Sequence, residues 1–123
     1  MQRQLLSSST LVGDKVRNAA GEHLGKIEEL MIDVNDGRIG YAVLSFGGFA
    51  GLGSRLFAIP WSLLRVDQPG HEFVLNIQKS ILENAPGFDR DHWPDLADPS
   101  LGAQIHGHYN VKPYWEDVAT MAH

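Results

Sequence analysis

The 123-residue chain contains no cysteine. Disulfides, thiolate zinc sites, iron–sulfur clusters and cysteine nucleophiles are therefore excluded. Long apolar runs are also missing. A membrane span needs about 20 apolar residues, and the longest apolar stretch, residues 39–50, is broken by glycines and Ser45. Near the start only Leu5 and Leu6 are apolar, too few for the core of about 7–15 residues that a secretory signal carries. A cytoplasmic protein without a membrane span is the expectation. Basic residues are scarce as well: ten against fifteen acidic ones, net −5. That balance excludes a strongly basic nucleic-acid binder driven by phosphate neutralisation. DNA is not an expected partner, and RNA is disfavoured.

What remains is an ordinary globular mixture, 43% hydrophobic and 20% charged, long enough for one domain with an extension. Residues 1–9, with a run of three serines, read as a flexible lead-in. Residues 10–85 hold strand-like runs separated by turn signals. Residues 86–123 differ in composition: they carry four of the six prolines, five of the eleven aromatics and a net charge of −4.

The first region reads as β. Ile39, Tyr41 and Val43 alternate with Ala42, Leu44 and Phe46, so both faces of this strand are apolar and both are expected to be covered. Upstream, the apolar phase slips between Ile27 and Leu30, which predicts a bulge near Glu28 and Glu29. Asn35-Asp36-Gly37 supplies residues that tolerate positive φ and predicts a hairpin. A second turn falls at Ala20-Gly21-Glu22, and a third at Gln68-Pro69-Gly70. Pro60 should end a strand that starts near Arg55, with one tight turn at residues 61–64. Ser80 and Glu83 have capping-box spacing and predict a short helix. The total is about six short strands, a pattern that suggests a small barrel or sandwich. Closure would remove two unpaired edges. Val16, Ile27, Leu30, Ile32, Val43, Leu44, Ile59 and Val66 are the expected core. Gly25 and Gly40 are expected where a backbone or bulky neighbour approaches closely.

Few residues support chemistry. His106-Gly107-His108 is the one close histidine pair; on an extended segment both would face one side, as two metal ligands could. No cofactor is expected. Asp33-Val-Asn-Asp-Gly37 resembles the start of a calcium loop, but glycine falls one position early and Leu44 stands where a bidentate glutamate is needed. The glycine-rich residues 47–53 lack the lysine and following helix of a phosphate loop. Glu28 and Glu29 are neighbours on a strand and point to opposite faces, so they do not form an acid–base pair. No catalytic residue is assigned, and the chain is not expected to be an enzyme. The better candidates are apolar contacts: Phe49 and Leu52 in the glycine-rich loop, and Trp93, Tyr114 and Trp115 in the aromatic tail, as protein-interface residues.

Taken together, residues 11–33, the turn Asp36-Gly-Arg38, the strand Tyr41-Ala-Val-Leu-Ser-Phe46 and the segment Phe57-Ala-Ile-Pro-Trp61 resemble the PRC-barrel domain family. The resemblance covers about residues 8–80. This family includes the cytoplasmic domain of the photosynthetic reaction centre H subunit, the C-terminal domain of RimM and stand-alone bacterial proteins. The resemblance implies a mainly β fold: a small barrel of about six strands with a short helix and a largely irregular C-terminal extension. It implies a non-enzymatic protein-interaction or adaptor module in a bacterial cytoplasm, with no catalytic residue to carry over. No transmembrane helix and no separate N-terminal domain precede the matching residues, so a stand-alone member is expected. Self-association into a homo-oligomer, a dimer first, is the leading expectation. The alternatives are an RNA- or ribosome-associated factor, or a small-molecule or metal-binding protein using the tail histidines.

Overall fold

A computed structural model describes residues 4–47, 55–67, 69 and 71–117. A single helical turn, α1 (Ser8–Leu11), opens the described chain and places Leu11 in the core. Six strands follow: β1 (Lys15–Arg17), β2 (His23–Asp33), β3 (Arg38–Phe46), β4 (Arg55–Pro60), β5 (Leu64–Asp67) and β6 (Glu72–Leu75). They form one mixed sheet in the order β4-β3-β2-β1-β6-β5, with β1 and β6 parallel and the other neighbours antiparallel.

The connection between β4 and β5 forces this sheet to curl. These strands are the two ends of the sheet order, five strand spacings apart, or about 24 Å if the sheet were flat. Only the 3-10 turn Trp61–Leu63 joins them, and four Cα–Cα steps reach about 15 Å at most. The sheet therefore bends into a half-barrel. Among the described residues the ends are not joined by a strand pair. Instead the outer edge of β4 is covered by the extension, where Leu56 and Phe88 exchange two backbone hydrogen bonds of 2.9 and 2.8 Å.

The interior follows from strand phase. Leu24, Ile27 and Leu30 are all buried although each is three residues from the next. Strict alternation would turn one of them outward. Two irregularities absorb the difference: one where β1 pairs with β2 beside Gly25, the other at Glu28 where β2 pairs with β3. At Gly25, φ is +151° and a Cβ would fall onto the Ser45 carbonyl oxygen. The expected close approach is thus a strand backbone. A third irregularity lies between Met31 and Ile32. Ile32 beside it is 57% exposed, against the expectation that Ile32 belongs to the core. Val16, Ile27, Leu30, Val43, Leu44 and Ile59 are buried as expected, and Val66 is partly buried against them. On β3, Gly40 through Ser45 are all buried, so both faces are covered as the apolar pattern required.

Two helices were differently placed by the sequence. The helix α2 (Lys79–Glu83) begins one residue before Ser80, so Ser80 lies inside it and no side chain caps its start. The extension, expected to be largely irregular, contains the ten-residue helix α3 (Pro99–His108). Its two glycines and weak apolar pattern concealed it. The legible signal was Asp98-Pro99: Asp98 accepts the Ser100 N–H at 2.9 Å, and proline suits the first helical position.

Candidate functional site

After α2, the chain crosses back over the barrel and is tied to β2 at two points. Near the middle of β2, Arg90 donates two hydrogen bonds to the Glu28 carboxylate, each of 3.2 Å. At its end, the Tyr114 hydroxyl donates to Asp33 Oδ2 at 2.8 Å. Each carboxyl is held below its usual range, Glu28 first by the Arg90 hydrogen bonds and Asp33 first by the Tyr114 hydroxyl. Burial, with the Asp33 bond second, pushes the Tyr114 hydroxyl up to about 12.

Between these ties, rings pack against the barrel. His106 is buried, its ring 5.4 Å from that of Tyr41 on β3 and 5.4 Å from Trp115. Its Nδ1–H donates to the Gly102 carbonyl at 2.7 Å, and Nε2 accepts the Tyr114 N–H at 3.2 Å. Two glycines provide flat seats. A Cβ at Gly40 would lie 2.9 Å from the Tyr114 ring, and one at Gly102 would lie 2.5 Å from Trp115. Gly40 thus serves the close approach expected of it, with Tyr114 as the bulky neighbour.

This arrangement changes the reading of the histidines. The expected extended segment is part of α3. On a helix, residues two apart are turned by about 200°, so His106 and His108 point apart. His106 uses both ring nitrogens within the chain, and His108 Nε2 bonds the Ile81 carbonyl at 2.7 Å. The structure does not bring them together as a metal pair.

Where the extension meets the end of the β2–β3 hairpin, it leaves a cleft of about 450 Å³. The hairpin is shaped by Asp33, whose carboxylate accepts the Asn35 N–H and whose carbonyl accepts the Gly37 N–H. Met31, Leu96 and Trp115 give the cleft apolar walls, Tyr114 adds a ring, and Asp33 is the charged side chain in the lining. Ile32 and Val34 also line it and are 57% and 85% exposed. Sequence reading missed both, since it placed Ile32 inside and Val34 in a polar turn.

The expected interface residues therefore separate. Tyr114 and Trp115 converge on the cleft. Trp93 lies elsewhere, its ring 5.1 Å from Phe88, and is 41% exposed. Phe49 and Leu52 lie outside the described residues. Glu28 is engaged by Arg90, while Glu29 is exposed.

No curated protein matches the sequence. Among solved structures, a RimM protein of Pseudomonas aeruginosa is similar at 20% identity, with a TM-score of 0.43, over 61% of this chain and 45% of its own length. The chain thus spans less than half of that protein. The sequence model of the PRC-barrel domain matches residues 4–82, which include all six strands. This chain belongs to the PRC-barrel domain family.

Proposed function

We propose that the protein is a non-enzymatic interaction module that docks a protein partner through the cleft between the β2–β3 hairpin and the extension. One observation carries the reading: Ile32 and Val34 stand exposed on either side of Asp33 at the lining of an apolar cleft. Burying such a side chain fully contributes roughly 1.5–3 kcal/mol, so two beside a preformed cleft suit a docking contact. The half-barrel holds the hairpin in place, and the extension supplies the opposite wall. Tyr114 and Trp115 act here as wall residues of one chain. Tyr114 packs edge-on against Tyr41 of its own barrel, so one chain completes both walls of the cleft. No helix among the described residues is long and apolar enough to cross a membrane.

The test is affinity capture from cell extract with three forms of the full chain: wild type, Val34→Asp, and Glu83→Lys as a surface control. A partner held by wild type and control but lost with Val34→Asp is expected. Identical captures by all three would remove the cleft as the docking surface.

A further inference from the structure

We infer that the cleft takes a basic segment with an apolar anchor, such as leucine flanked by lysine or arginine, rather than a second copy of this chain. The inference rests on the docking role proposed above. Its carrier is the charge around the apolar walls. Asp33 lies in the lining, and Asp36, Asp95, Asp98 and Glu116 each adjoin a lining residue in the chain. No lysine or arginine is in the lining or next to a lining residue in sequence. Arg38, the register partner of Asp33, lies over the Tyr114 ring at 5.4 Å and offsets part of the Asp33 charge, which leaves the neighbouring carboxylates to set the sign of the field.

These charges select the occupant. In a two-fold dimer the same patch meets itself. Such a contact would bring Asp33 and the acidic residues next to the lining up against their own copies, and like charges brought together oppose association. A phosphate-rich surface is opposed for the same reason. A cationic segment gains from the same field: its apolar side chain enters between Met31, Leu96 and Trp115, while its charges lie along the rim. The volume, about 450 Å³, is within the usual range for ligand sites of about 300–1,000 Å³.

Fluorescence anisotropy with two labelled eight-residue peptides tests this, one alternating leucine and lysine, the other leucine and glutamate. The full chain should bind the lysine peptide at least tenfold more tightly. The pair Asp36→Lys and Glu116→Lys should weaken that binding at least tenfold. The pair Glu29→Lys and Glu83→Lys, an equal charge change at exposed sites outside the lining, should change it less than twofold. Val34→Ser should weaken it severalfold. Binding of neither peptide, equal binding of both, or equal loss in the two charge-reversed pairs would overturn the inference. Sedimentation velocity separates the remaining case: a doubled mass abolished by Val34→Asp would make a second copy the occupant, overturning the basic segment while keeping the docking role. The docking role itself fails only if Val34→Asp loses no partner in the extract experiment.

Discussion

Among the described residues, the half-barrel and the extension are held by different means. The barrel is held by a backbone ladder over an apolar interior in which Val16, Val43, Leu44, Ile59 and Phe73 are fully enclosed. The extension has one helix and long irregular stretches. It is held by rings set on glycines, by the His106 hydrogen bonds, and by Arg90 and Tyr114 gripping two carboxylates of β2. The contrast shows how a short chain obtains a concave surface. A curled sheet of this size presents a convex outside, and a second segment laid across it creates a cleft. The extension therefore adds a concave surface to a packing unit.

Matched substitutions can break this comparison. The largest effect is expected at Gly25→Ala. There the new Cβ meets the Ser45 backbone at positive φ, so relief requires moving β3. A loss of about 3 kcal/mol is expected, read as a lower urea midpoint with amide protection falling through the barrel. Gly102→Ala introduces the same methyl group in the extension, against the Trp115 ring. A cost of about 1–3 kcal/mol should stay local, with faster hydrogen exchange in α3 and altered tryptophan fluorescence while β2 and β3 keep their protection. Should barrel amides lose protection equally, the two regions are one cooperative unit and the comparison fails.

The smallest effect sharpens the comparison through pH. Glu28 and Asp33 have lowered folded-state values relative to the ordinary 4.5 and 3.8. A carboxyl lowered on folding contributes stability that is present above its unfolded value and lost as pH falls through the folded one. Both carboxylates anchor the extension, so acidification below about pH 4 should loosen the extension before the barrel. Tryptophan fluorescence followed against pH, beside exchange of barrel amides, checks the order. Tyr114→Phe removes the hydrogen bond to Asp33. It should cost about 0.5–1.5 kcal/mol at neutral pH and reduce the acid dependence. An unchanged acid profile in this variant would show that Asp33 is not one of the anchors.

Legibility in sequence follows the same division. The apolar alternation of β3 and the Asn35-Asp36-Gly37 turn are local signals, and both stand in the structure. So does the bulge at Glu28, because a slip in phase has to be absorbed where it occurs. Ile32 was misplaced because its apolar side chain fits the strand pattern, while its exposure follows from its place at the hairpin end beside the cleft. The cleft was half legible. Tyr114 and Trp115 stood out as large rings in a polar tail, but their seats, Gly40 and Gly102, lie 74 and 13 residues away in sequence.

By itself the sequence determined the strand set, the hairpin turn at Asn35-Asp36-Gly37, the absence of cysteine chemistry and the acidity of the tail. Each depends on residue type and on neighbours a few positions away. Only the tertiary structure decided that Tyr114 lies on Tyr41 of the barrel, that His106 and His108 point apart, and that Ile32, Val34 and Asp33 share a cleft with Trp115. These facts depend on which distant surfaces meet when the sheet curls, and short-range periodicity carries no record of that meeting.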